Sequence, residues 1–427
     1  MGARIGLRGA GWAMAVCAAM AAAARCDAGE ANYQPYVVGE RAAGMGGAVT
    51  ATADGMDACF YNPAGLGYET RDSLSVNGAL YGLQTYEMQD AAYPGEDFEV
   101  SSFATIPTGL SAVRKLRTGA AAAFSVFVPS QSSAREIKAF PERQHYYNYS
   151  QDEQTIYLGP SFGCVLGERL ALGASVFGTY QTASEFQNLY WGDYAYSYSA
   201  NYKYSVIGAV GTVGAQFRLA DEWAAGLVFT TPSATLAGNG TVQLSEVVGA
   251  TDGAAAGALY YDDLDADNGL PAQLRAGLAW RRPGVGSVGV DATHHFSRRY
   301  DWMSGTQDGE AVVIRQEREA VTDVQLGGEY VFRKRYPLRA GAFTSFSSAP
   351  DLAANGDSQV NQVDLYGVTA SVGSVGDNVV MNLGLSYVWG QGDALGTRLD
   401  AAGELESFVS RTRESGLYAF ASTAYRF

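Results

Sequence analysis

After Tyr68 the chain settles into segments in which apolar and polar residues alternate. In "VVMNLGLSYVWG", Val379, Met381, Leu383, Leu385, Tyr387 and Trp389 share one face, and Asn382, Gly384, Ser386 and Gly390 share the other. "AQLRAGLAWR" (from Ala272) and "DVQLGGEYVF" (from Asp323) repeat the design. Strict alternation predicts β-strands lying between two unlike environments, because successive side chains leave a strand on opposite faces. Fourteen strands are expected, starting near residues 72, 100, 118, 152, 168, 200, 221, 271, 286, 319, 336, 361, 378 and 414.

A soluble β-sandwich would also alternate, but two features weigh against it. Many of these segments run 11 to 15 residues, whereas sandwich strands are usually about 5 or 6. Aromatic residues also cluster at the strand ends on the apolar face. Trp223, Trp280, Tyr330 and Phe332 lie near short turns, and Tyr180, Tyr387 and Trp389 lie near long polar loops such as 130–152 and 237–270. Two aromatic girdles around an aliphatic band are what a membrane barrel shows to lipid, and alternating short turns and long loops give its sidedness. The expected fold class is all-β: a transmembrane antiparallel β-barrel of about 14 strands with an N-terminal hatch.

Composition agrees with one barrel despite the length of 427 residues. Charged residues make up 17%, Gly (52) and Tyr (27) are abundant, and no stretch turns linker-like. Arg4 and Arg8 precede an apolar run from Gly9 to Ala24, which reads as an export signal cleaved after Ala24 or Ala28. The run is shorter than the roughly 20 residues of a membrane-crossing helix. Arg25 makes Cys26 a poor lipid-attachment site. The expected division is therefore 1–28 signal peptide, 29–70 hatch and 71–427 barrel. Removing the signal moves the formal net charge from −15 to about −17, which disfavours nucleic acid as a partner. Cys59 and Cys164 remain and are expected unpaired, one in the hatch and one facing outward.

The stretch "YVVGERAAGMGGAVTATADGMDACFYNPAGLGYE" precedes the first strand. Its glycines do not make a phosphate loop: no strand precedes them and no Gly-Lys-Ser/Thr follows. Small and mildly apolar, it suits folding back inside a barrel too wide for wall side chains to fill. Gly39-Glu40-Arg41-Ala42-Ala43-Gly44-Met45-Gly46-Gly47-Ala48, then Ala53-Asp54, then Asn62-Pro63-Ala64-Gly65-Leu66, resembles the N-terminal hatch of the FadL/TodX outer-membrane transporters. The resemblance extends in particular to the branch of FadL-like proteins that includes type IX secretion barrels. It covers about 30 residues closely and the barrel in outline.

That resemblance implies a hatch, carried by Gly39, Arg41, Gly44, Gly46, Gly47, Asn62, Pro63 and Ala64, that plugs a fourteen-stranded wall. It implies passive uptake of hydrophobic molecules such as long-chain fatty acids, which leave through a lateral gap into outer-membrane lipid. Pro107 and Pro160 fall within wall strands, where proline removes a ladder donor and marks a bulge or a break. Pro107 is the candidate for the opening. Inward Phe177, Phe343, Tyr418 and Phe420 are candidates for the route. The ending "GLYAFASTAYRF", with Tyr425 and Phe427 on one face, resembles the signal read by barrel assembly machinery.

Other chemistry is sparse. Asp263, Asp265 and Asp267 alternate as calcium ligands do, but the sixth-position Gly and twelfth-position Glu of a calcium loop are missing. Asp291, His294 and His295 have no nucleophile motif beside them. No catalytic step, cofactor or metal is expected. A secretion shuttle and a water-filled porin are the alternatives, the latter supported by inward Arg275, Asp323, Glu329 and Arg339.

Overall fold

The alternation closes into a barrel. The computed structural model describes residues 31–93, 96–192, 196–250, 253–307, 310–352, 360–399 and 405–427, so the expected signal peptide lies outside the described residues. The wall consists of β1 (Ser73–Tyr93), β2 (Glu96–Arg117), β3 (Ala120–Phe140), β4 (His145–Leu166), β5 (Leu170–Trp191) and β6 (Tyr196–Arg218), followed by β7 (Trp223–Thr230), β8 (Ala234–Ala250), β9 (Gly253–Ala266), β10 (Gln273–Arg282), β11 (Gly286–His295) and β12 (Arg298–Gln307). It finishes with β13 (Glu310–Arg318), β14 (Val321–Phe332), β15 (Tyr336–Ser345), β16 (Gln362–Val375), β17 (Val379–Leu399) and β18 (Leu405–Arg426). Pairing is antiparallel throughout, and β18 returns to β1, with Leu74 opposite Tyr425. Closure leaves no edge along this seam, which a wall in lipid requires.

These eighteen segments make fourteen staves, because four staves are interrupted. β7 and β8 are one stave, as are β9 and β10, β11 and β12, and β13 and β14. Below the breaks the order is β6–β7–β10–β11–β14, and above them β6–β8–β9–β12–β13. Pro232 and Pro271 stand in two of the breaks and cannot donate to a ladder. Arg298 ties the broken level together, donating to Ser233 Oγ (3.0 Å) and Asp267 Oδ2 (3.2 Å).

The expectation of long polar loops at 130–152 and 237–270 is corrected. β3 runs on to Phe140, β4 begins at His145, and β8 and β9 occupy most of the second range. Strands of 21 to 23 residues reach about 70 Å at roughly 3.3 Å per residue, while about 9–11 residues cross a bilayer. Beyond the apolar band the wall simply continues, with ion pairs on its outer face: Arg135–Asp152 (3.1 Å), Arg315–Asp301 (2.9 Å) and Arg299–Glu317 (2.7 Å). Polar composition there reflects water outside a strand.

Within the band Val176, Leu326, Leu383 and Leu385 stand exposed. Trp223, Tyr330 and Phe332 ring the short-turn end, and Tyr180, Tyr387 and Trp389 the other, the last two stacked at 5.5 Å. Trp280 is half-buried and donates to Glu222 (2.8 Å). So continuous an apolar belt is unfavourable in water and matched to lipid.

Candidate functional site

The N-terminal segment sits inside this wall. It holds a one-turn helix α1 (Arg41–Gly44), a helix α2 (Gly55–Tyr61) and a 3-10 turn (Pro63–Tyr68). Met45, Met56, Cys59, Tyr61 and Leu66 are fully buried. Fit is achieved by wall residues without side chains. A Cβ on Gly163, Gly173, Gly214, Gly226, Gly327 or Gly341 would come within 2.4 Å of a hatch atom. These glycines lie on six different strands, so the hatch backbone rests directly on much of the wall.

Local chemistry shapes the hatch. Asp57, buried on α2, accepts the N–H groups of Glu40 (2.7 Å), Arg41 (3.0 Å) and Ala42 (2.8 Å), which satisfies the orphan donors at the start of α1. Gly39 takes φ +115° beside that carboxylate, a conformation that disfavours any side chain. Burial, and next the Asp57 charge, push Glu40 up to about 7. Burial lifts Asp57 to about 6 against the pull of its N–H donors.

Arg41 and Asn62 fasten hatch to wall. Arg41 donates to Thr52 O (3.0 Å) and Ser287 Oγ (2.9 Å) and lies 3.5 Å from Glu329. Glu329 also pairs with Arg339 (2.7 Å), which reaches Asn382 (2.6 Å). The inward charges expected to favour a porin, Glu329 and Arg339, are therefore held in a hatch–wall network. Asn62 donates through Nδ2 to Thr50 O (2.8 Å) and to Ala215 O of β6 (2.9 Å), and its Oδ1 accepts from Ala64 N (3.2 Å). Pro63 opens the 3-10 turn, where its missing N–H is not needed.

Above the hatch, residues 32–38 form a strap across the lumen. Asn32 donates to Ser345 O (2.7 Å) and Val363 O (3.0 Å), and Tyr36 donates across to Val128 O (3.0 Å). An inner cavity of about 110 Å³ lies on one side, lined by Tyr33, Tyr36, Phe60, Tyr61, Tyr157, Phe177 and Arg275. A second cavity of about 100 Å³ lies on the other, lined by Pro35, Ser102, Ser130 and Tyr418. The second cavity borders a defect in the wall. β2 pairs with β3 from Gly109↔Phe127 to Arg117↔Ala120, although β1–β2 pairing continues to Glu96 and β3–β4 pairing to Phe140. Over residues 96–108 and 128–140 the two strands share no ladder among the described residues. Outside, exposed Tyr81, Leu83 and Phe103 carry the apolar surface up beside β2's open edge.

Solved structures match this architecture. A Pseudomonas aeruginosa FadL homologue aligns at TM-score 0.66 and 14% identity, covering 93% of this chain and 100% of its own. The Pseudomonas putida toluene transporter TodX aligns at 0.69 and 17%, covering 92% and 99%. The Ralstonia pickettii toluene transporter TbuX aligns at 0.62 and 15%, covering 92% and 99%. The chain has the FadL/TodX fold. No protein-family model and no curated protein sequence matches it.

Within that fold the anticipated residues divide. Gly44 packs against Ser371 and Arg339, Gly46 donates to Thr369 Oγ1 (3.1 Å), and Gly47 adopts φ +86°. Phe177 lines the inner cavity and Tyr418 the outer one, whereas Phe343 and Phe420 lie over wall glycines Gly367 and Gly384 and line neither. Pro107 pairs with Ala79 of β1, two residues past the end of the β2–β3 ladder. Pro160 coincides with a lapse in β4–β5 pairing that resumes in the same register. Tyr425 and Phe427 are exposed and stacked at 5.8 Å.

The acidic loop is occupied by structure: Asp267 accepts from Thr235 (2.7 Å), Gly269 N (3.0 Å) and Arg298, and no group of potential metal ligands occurs among the described residues. Asp291 caps Thr50 N (2.8 Å), His295 stacks on Tyr33 (4.3 Å), and His294 meets Thr322 on the outer face. Cys59 and Cys164, the cysteines among the described residues, are free. Sequence reasoning missed Asp57, Asn32 and Tyr36, and it named Arg275 only as an inward charge. Inward-parity glycines in successive strands were the one available signal that a backbone lies against the wall.

Proposed function

We propose that the protein is an outer-membrane channel for passive uptake of small hydrophobic molecules, in which residues 32–38 gate passage from the inner cavity to the β2–β3 gap. The observation that carries this reading is the placement of the strap between two cavities, one of them bordering unpaired wall. Cargo entering from outside would lose water in the aromatic inner cavity, at about 25 cal/mol per Å² of apolar surface buried. Displacement of the strap would open the way past Tyr36 and Tyr418, whose rings stand 6.1 Å apart. Exit beside Pro107 then delivers cargo to the outer-membrane lipid. No cofactor and no catalytic step are needed. The toluene transporters of like fold support a hydrophobic cargo. Against a porin stands the seated hatch, and a secretion shuttle would not require the paired cavities.

Vesicle reconstitution tests this. Protein-containing vesicles should take up labelled toluene or a labelled long-chain fatty acid faster than empty ones, with little conductance to salt or sugars. Large steady ion conductance with no gain in apolar uptake would sink the reading.

A further inference from the structure

We propose that the inner cavity binds a compact aryl carboxylate, one aromatic ring bearing one carboxylate group. The inference rests on the channel reading above and narrows it to a substrate class.

Size comes first. The cavity holds about 110 Å³, and an apolar cavity of ~150 Å³ accommodates benzene. One ring is the most this space takes, and a long acyl chain exceeds it. Shape agrees: Phe60, Tyr157 and Phe177 present aromatic faces and edges, with Val210 and Val228 beside them. Offset and edge-to-face contacts with a flat ring are favoured in such a box.

The cavity also has a charged pole. Arg275 is 6% exposed, its Nε donates to Thr293 Oγ1 (3.0 Å), and its guanidinium lies over the Tyr61 ring at 4.8 Å. Nη1 and Nη2 have no hydrogen-bond partner and no ion pair among the described residues. Of the neighbouring carboxylates, Asp291 Oδ2 accepts from Thr50 N and Asp323 Oδ1 from Phe346 N (both 2.8 Å), while Asp323 Oδ2 lies 3.9 Å from His295 Nε2; neither bonds the guanidinium. Gln34 Nε2, also on the lining, is buried without a partner. The unused guanidinium donors open onto the cavity, and a carboxylate meets their planar fork with two parallel N–H···O bonds. Arg275 and Gln34 offer unused donors here, and Tyr33 Oη, unpartnered on the same lining, can donate as well, so the cavity is matched to an acceptor head.

Titration calorimetry on the full chain in non-ionic detergent tests the inference, with benzoate as probe. Its methyl ester and toluene serve as uncharged controls of similar body, and palmitate as a long-chain competitor. The acid should bind at least tenfold more tightly than either control, and palmitate should not bind more tightly than it does. Arg275→Met should bring the acid down to the affinity of the ester. Because that variant can fail to assemble, the comparison of acid with ester on the unaltered protein decides by itself. Equal affinities would overturn the proposal, and so would palmitate binding more tightly. Absent benzoate binding with retained vesicle uptake of toluene would defeat this inference alone. Loss of all apolar uptake would defeat the channel reading.

Discussion

Asn62 and Gly214 meet with no space between them: a Cβ on Gly214 would fall 2.2 Å from Asn62 Oδ1, while the Asn62 amide donates to the next wall carbonyl, Ala215 O. The hatch is thus fastened to β6 by contact and hydrogen bond at one point, and this shapes what its variants should do.

Asn62→Ala removes three hydrogen bonds, at about 1 kcal/mol each, so the hatch should loosen by about 2–3 kcal/mol. The wall should still assemble, because its ladders run between strands. Gly214→Ala should act similarly by collision. Normal heat-modifiability with raised single-channel conductance is the expected result for both. Failure of the barrel to assemble would make this segment a folding element.

Cys59 reports on the hatch. Its thiol is completely buried, 3.7 Å from Ser111 Oγ, and burial pushes it up to about 11. A thiol reagent should leave Cys59 unmodified in the native protein and label it in Asn62→Ala. Rapid native labelling of Cys59 would contradict a seated hatch.

The hatch should weaken as pH rises. Glu40 and Asp57 are raised from 4.5 and 3.8 to about 7 and about 6, in both cases chiefly by burial. A carboxyl with a raised folded-state value favours folding when protonated. Its contribution is full below about pH 4 and is lost as pH climbs through 6 to 7. Around Glu40 stand Asp57, Asp54 and Ser75, with Arg426 opposing. Cys59 labelling, normalised at each pH to the unfolded chain, should accelerate between pH 5 and 8, and Glu40→Gln should flatten that rise. A pH-independent rate in the unaltered protein would count against the buried pair.

Loosening the strap should speed uptake. Asn32→Ala loses the bonds to Ser345 O and Val363 O, and Tyr36→Phe loses the bond to Val128 O. Each should raise vesicle uptake of toluene several-fold without changing heat-modifiability. Unchanged uptake in both would remove the strap from the gating step.

The barrel was legible because alternation is a one-dimensional signal. Residues such as Leu383 and Leu385 face outward whatever their neighbours are, and fourteen repeats of the pattern leave few closed solutions. The placement of the N-terminal segment inside the wall was anticipated from the resemblance carried by the residues around Asn62-Pro63-Ala64. What alternation could not show was where the apolar band stops, so paired strand at 130–152 read as loop: polar residues on a wall in water have the same composition as a loop.

Contacts between distant segments belong to the tertiary structure alone. Asn62 finds Ala215, 153 residues away, only once β6 is in place. Pro107 signalled a weakness in β2, but the missing ladder depends on the register that β1 and β4 impose on either side. Arg275 has readable inward parity. That its terminal nitrogens lack a carboxylate follows from Asp291 and Asp323 being turned to backbone donors of the hatch and of the segment after β15. Sequence determines which way a strand residue points, because that depends on parity. Which group it meets depends on closure of the chain, so the site appears only when the barrel closes around the hatch.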